Sequence, residues 1–232
     1  RDGDLLRRYA INRTQSRAKG NGHTVWANVG TYMNFSPAHN DYIHFNISSY
    51  YDFYEWTSNS YNHNRIDYPK GKQPTDFRNR YQPQLNRNHT ALLHPSVTFD
   101  LDEKQDHRLG VGYRLQYNYE KTDNPLYMLN KLEDWQDVES HPLGSLPSKD
   151  ELLTTLDANN SSHSVKNQYR HEPTLSYGYS KSLKKGGYLY FITNLSFPMT
   201  HEKLDYHRGT QVDTLLHRNT TFMNVDATCY YT

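Results

Sequence analysis

Thirteen histidines and 25 acidic residues in 232 positions supply ample material for acid–base or metal chemistry. Their spacing argues against both. No two histidines stand at the HExxH interval that puts two imidazoles on one helix face, and none belongs to a Cys/His cluster. His201 and His207 are near in sequence, but six residues is not a recognised ligand spacing, so no metal is expected. Cys229 stands alone, which excludes an internal disulfide framework and a Cys-based zinc site. No GxSxG elbow, phosphate-binding P-loop or GxGxxG turn is present, so no catalytic residue and no cofactor is assigned. Lys and Arg total 26 against 25 Asp and Glu, a net charge of +1 that makes no electrostatic case for nucleic acid.

What remains is the chemistry of flat rings among polar groups. The chain holds 21 Tyr, 8 Phe and 3 Trp, yet only 34% of it is hydrophobic. Such a chain folds without a conventional thick core. No run of 18 apolar residues exists, which excludes a transmembrane helix but not a barrel, whose lipid-facing residues occupy every second position.

Those residues must be positioned by strands. In Leu109–Glu120 the odd positions read Leu109, Val111, Tyr113, Leu115, Tyr117 and Tyr119, and the even ones Gly110, Gly112, Arg114, Gln116, Asn118 and Glu120. Period two puts the two sets on opposite faces. The pattern recurs from Val25, Ile43, Ala91 and Tyr169 and in the last stretch from Met223, less cleanly from Tyr188. It predicts an all-β, antiparallel up-and-down fold of about eight long strands, near 5–17, 23–36, 41–56, 91–102, 107–121, 164–182, 187–199 and 221–231. Twelve alternating residues at about 3.3 Å each are longer than a usual soluble strand and suit a tilted membrane crossing. Val111, Leu115, Ile43, Phe45, Ile47, Val97 and Phe99 are expected on one outer face, and Arg114, Gln116, Asn118, Arg170 and Thr174 on the inner one. Pro95, Pro173 and Pro198 fall inside these strands, and each calls for a bulge or a strand end.

The connections alternate in length. Short ones (SPAHND, DEKQDH, LKKGG) share one side, and long ones near 57–90, 121–163 and 200–220 share the other, the asymmetry of bacterial outer-membrane barrels. RAKGNGH, from Arg17 to His23, reads as a short connection on the long side. Tyr51, Phe53, Tyr117 and Tyr119 cluster at the long-loop end and Tyr177 and Tyr179 at the other, as two interfacial belts would. In the loop from Lys121, Asn124-Pro125 reads as a helix start before LYMLNKLEDW, and Ser148 with Glu151 as a capping box. Candidate ligand contacts are the loop aromatics Tyr61, Tyr68, Tyr127 and Trp135, with Tyr81, and the inner-face residues Arg114, Gln116 and Asn118. The alternatives are that the aromatics pack the short helices on the rim and that the polar residues pair across strands.

The Tyr-rich segments HTVWANVGTYMNFSP, NDYIHFNISSYYDFYEW, HRLGVGYRLQYNYE and HEPTLSYGYSKSLKKGGYLYFITNLSF resemble the barrel portion of a TonB-dependent outer-membrane receptor of the Bacteroidetes type, the outer-membrane protein beta-barrel family. The resemblance covers most of the chain in style and transfers no functional residue. It implies a bacterial outer-membrane location, contact with outer-membrane lipid, and energy-dependent uptake of a bulky nutrient such as a polar solute or glycan. A plug domain and TonB would then be partners through parts of the protein that this chain does not show. The chain begins at Arg1 and stops at Thr232 in what reads as mid-strand, so it is expected to be a single barrel segment of a longer polypeptide, forming an open sheet. A secreted carbohydrate-binding module and a surface hydrolase on a β scaffold are the competing readings.

Overall fold

The computed structural model describes residues 11–35, 43–68, 75–136, 141–183, 186–209 and 212–231. Those residues form one antiparallel sheet of ten strands. Strands β1 (Ile11–Phe35), β2 (Ile43–Asp67) and β3 (Asp76–Asp100) are each 25 residues long. β4 (His107–Asn124) is prolonged by the two-residue β5 (Tyr127–Met128), and β6 (Ser162–Ser182) follows the long loop. β7 (Tyr188–Ser196) and β8 (Met199–Arg208) run end to end along β6, and β9 (Val212–Thr221) and β10 (Asn224–Tyr231) run back along β8 and β7. The chain therefore goes up and down through β1, β2, β3, β4–β5, β6, β7–β8 and β9–β10. The sheet is open among the described residues, with β1 at one edge and β9 and β10 at the other.

Several expected connections are strands. Arg17 to His23 lies within β1, paired with Tyr61 to Glu55, not in a turn. Gly20 and Gly22 hold the strand because Trp56 of β2 covers them; a Cβ on either would stand 3.3 or 3.2 Å from its indole. The expected loops near 57–90 and 200–220 are hairpins, β2–β3 and β8–β9, whose polar residues hide the strand pattern. The loop from Lys121 holds a helix, α1 (Lys149–Thr154), started by the expected Ser148–Glu151 capping box. LYMLNKLEDW is not one helix: it gives β5 and two 3₁₀ turns, Leu129–Lys131 and Glu133–Trp135. Pro125 interrupts a strand there and starts no helix. β3 pairing passes from Leu85–Asp123 to Tyr81–Tyr127 in one register. The expected strand residues 5–10 and the SPAHND turn lie outside the described residues.

The prolines produce no bulges. The Phe197 N–H donates to the Pro173 carbonyl (3.1 Å), but Pro173 has no N–H to return the bond. Phe222 and Pro198 repeat this half-pair at 3.1 Å. The ladder then resumes unshifted, from Thr174–Ser196 to His171–Met199. Pro95 stays inside β3, where the β2 ladder runs past it while the β4 ladder skips from Leu93–Leu115 to Ser96–Gly112. A missing donor thus interrupts each ladder without inserting a residue, and only Pro198 marks a strand break.

Because no ladder slips, directly opposed residues share parity in every strand pair. All odd-numbered strand residues stand on one face and all even-numbered ones on the other. Val111, Leu115, Ile43, Phe45, Ile47, Val97 and Phe99 share the odd face, and Arg114, Gln116, Asn118, Arg170 and Thr174 share the even face, as the periodicity implies. From the row of His107 and Tyr179 up to the row of Tyr117 and Tyr169, the odd face carries no Asp, Glu, Lys or Arg among the described strand residues. The even face of the same rows carries Asp100, Arg108, Arg114, Arg170, Glu172 and Asp226. No second layer covers the charge-free rows among the described residues: Val111 is 50% exposed and Val225 63%. Among the described residues the buried apolar side chains are Tyr81, Leu129 and Trp135, at the far end of β2 and β3.

Gly209 docks the β8–β9 hairpin on the long loop. Its φ is +59°, and a Cβ there would stand 2.6 Å from backbone atoms of Ala158 and Asn159. Gly209→Ala is expected to cost about 1–3 kcal/mol of local stability. Amide exchange should then quicken in β8, β9 and the Ala158–Asn160 turn, with β1 and β2 unchanged; unaltered exchange in β8 would contradict the docking.

Candidate functional site

Three residue groups stand out, each held by strand parity. The first is a polar ladder on the even face. Arg114, Gln116 and Asn118 follow one another at every second position of β4, so their side chains line up. Arg114 Nη2 donates to Gln116 Oε1 (3.2 Å), and Gln116 Nε2 to Asn118 Oδ1 (3.1 Å). Asn118 Nδ2 donates across to Gln168 Oε1 on β6 (2.9 Å), and Gln168 Nε2 to Glu202 Oε2 on β8 (3.2 Å). Glu202 also accepts from Arg218 Nη2 on β9 (3.1 Å), and Lys166 Nζ is 3.8 Å away. The candidate polar residues thus do pair across strands. They also keep unused capacity, since Arg114 Nε and Arg170 Nε are buried without an acceptor.

The second group was not foreseen. Trp26 of β1 faces Asp52 of β2, with Tyr50 and Tyr54 one step to either side on the same even face. Trp26 is 70% exposed, and both tyrosines are exposed too. Flat rings beside a carboxylate suit a polar ligand with apolar faces, such as a sugar ring. Sequence reasoning looked for aromatics in loops; the shared even parity of Trp26, Tyr50 and Tyr54 was the available signal.

The third group gathers most of the loop aromatics. Tyr61 and Tyr81 face each other across β2 and β3, and β5 brings Tyr127 opposite Tyr81. Their rings stack in a row, with centroids 5.0 Å and 5.8 Å apart. The Tyr81 hydroxyl donates to Asn59 Oδ1 (2.7 Å). Leu129 and Trp135 close over Tyr81, and Trp135 stacks on His141 at 3.8 Å. Tyr68 lies one residue past β2 and outside this stack. Tyr61, Tyr127 and Trp135 are therefore brought together, but as a small core that fastens the loop to the hairpin. Burial, then the neighbouring Tyr61 and Tyr127, raises the Tyr81 hydroxyl pKa. Two residues from Tyr61, burial lowers the His63 pKa, against a smaller opposing effect of its Asn79 hydrogen bond.

Two outcomes test this account of the tip. Trp135→Ala should cost about 3 kcal/mol, read as faster amide exchange over 127–135 with the β4–β6 ladder unaffected. The His63 ring is favoured neutral in the folded tip, so its contribution is intact above pH 6.5 and is lost as pH falls below that value. Tip protection should therefore decline on acidification, less so in His63→Gln; a tip that tightens as pH falls would contradict it. Compared with known proteins, the chain matches no protein-family model and no curated protein.

Proposed function

We propose that this chain forms part of the wall of a bacterial outer-membrane β-barrel receptor or transporter. Its odd face meets lipid and its even face lines a watery interior. The charge-free band carries the reading. Along β4 it runs from His107 to Tyr117, about 33 Å of strand. At a strand tilt of about 40° that is about 25 Å of membrane, the height of an outer-membrane barrel's apolar belt. Tyr177, Tyr179 and Phe191 border it at one end and Tyr51, Tyr117 and Tyr169 at the other, where amphipathic rings favour the headgroup level.

Several polar side chains inside the band find partners within the sheet, as a lipid setting favours. The Tyr113 hydroxyl and His171 Nδ1 are 2.7 Å apart, Ser49 Oγ donates to the Val29 carbonyl (3.1 Å), and Thr193 Oγ1 to the Asp226 carbonyl (3.1 Å). The open edges call for further strands beyond β1 and β9–β10. In the TonB-dependent reading, a plug would meet the polar ladder, and a bulky solute or glycan would meet Trp26, Tyr50 and Tyr54. No enzymatic activity is proposed. The second reading, a secreted carbohydrate-binding module, draws on the same aromatic platform, but it needs a second layer over the charge-free band.

Val111→Arg in the intact protein should impair outer-membrane assembly, since an Arg at the lipid midplane costs about 2–4 kcal/mol. Arg114→Ala should assemble normally. Equal effects of the two substitutions on the membrane-inserted fraction would overturn the face assignment.

A further inference from the structure

We propose that the even face of β1 and β2 carries a binding site for an organic ammonium ion, above all a methylated one, built from Asp52, Trp26, Tyr50 and Tyr54. Strand pairing puts Trp26 and Thr90 directly opposite Asp52, one on either side, and Tyr50 and Tyr54 are the even positions before and after it. Opposed side chains stand about 5 Å apart at Cβ, and successive ones on one face about 7 Å. Three rings therefore flank one carboxylate, and the small Thr90 stands on the fourth side. This refines the solute contact proposed above by giving it a charge. It needs only an even face open to solvent, so it is independent of whether the odd face meets lipid.

The carboxylate is what points to a cation. Among the described strand residues, every Asp and Glu except Asp52 and Asp226 pairs with a Lys, Arg or His. Asp226 lies on β10, at an open edge of the sheet. Asp52 lies on β2 with a strand on either side, and those strands bring it no cation. The even positions from Gly20 to Tyr32 of β1, Asn46 to Ser58 of β2 and Gln84 to Ser96 of β3 hold no Lys, no Arg and no other carboxylate. The rings do not offset the charge, because aromatic faces are themselves negative. A carboxylate among such faces repels anions and attracts cations.

The rings are also uncommitted. On the odd face the hydroxyls of Tyr51, Tyr81, Tyr113, Tyr117 and Tyr177 each have a polar partner at 2.7–2.9 Å. The Tyr50 and Tyr54 hydroxyls and the Trp26 indole N–H have none among the described residues. Tyr61, Tyr81 and Tyr127 stack in a row, whereas Trp26, Tyr50 and Tyr54 stack on no described ring and stay exposed. The patch thus offers ring surface and one charged acceptor. A metal ion needs several donors, which one carboxylate does not supply. A primary ammonium has three N–H groups to satisfy. A quaternary ammonium has none, and its methyl groups suit aromatic surface. A sugar would use the same rings but leave the charge of Asp52 unanswered.

Saturation-transfer NMR on the N-methyl protons of choline chloride tests this. The intact protein is held in a detergent without sugar or ammonium groups, and NaCl keeps the ionic strength constant. Choline should bind saturably, and its uncharged analogue, with carbon in place of the nitrogen, at least ~10-fold more weakly. Asp52→Asn should weaken choline binding at least ~10-fold and Trp26→Leu at least ~3-fold. Asn224→Ala, on the same face near the other edge, should leave it unchanged. Asp52→Asn keeps the shape of the side chain, so its effect reports charge and not packing, and circular dichroism checks the fold. Equal binding of choline and its uncharged analogue, undiminished binding by Asp52→Asn, or binding of maltotriose without choline would overturn the ammonium site.

Discussion

Everything in this sheet depends on backbone pairing that never slips. In an antiparallel ladder, residues directly opposite one another point the same way, and a one-residue shift would turn every side chain of a strand over. Here each ladder opposes odd to odd and even to even across the whole sheet. The face of one strand then fixes the faces of all. Pro95, Pro173 and Pro198 put the greatest strain on that register, yet each removes one hydrogen bond and adds no residue.

From that constraint follow two surfaces of opposite character. Leucines, valines and tyrosines accumulate on one, and arginines, glutamates and amides on the other. A single layer cannot bury either, and the only apolar core of the described residues is the small cluster at the tip. Stability of the strands must come from ladder hydrogen bonds, cross-strand pairs and whatever medium meets the charge-free rows. On the proposed function that medium is a bilayer, whose apolar thickness matches the height of the band. The tip lies beyond the band, where both parities turn polar, and there the chain spends Tyr81, Leu129 and Trp135 to hold its long loop.

The sequence made the middle of the sheet legible and its ends obscure. Leu109 to Glu120 alternates because one face there is apolar, so period two is visible. Above those rows neither face is apolar: NHNRID and RNRYQPQLNRNH read as loops, though they are β2 and β3 continued. Gly20 and Gly22 looked like a turn because the residue that covers them, Trp56, is distant in sequence. The polar residues of β4 were legible as one row, whereas their partners Gln168 and Glu202 were not. The short helix α1 was legible because its capping box is local.

The central claim is that the odd face of the middle rows meets lipid and the even face meets water. Spin labels placed one at a time from Leu109 to Asn118, in intact protein with Cys229 replaced and reconstituted in bilayers, test it most directly. The account predicts collision with lipid-soluble oxygen at odd positions and with a water-soluble nickel chelate at even ones, alternating at every residue. Equal access of the chelate to both sets, or a band of protection without period two, would contradict it.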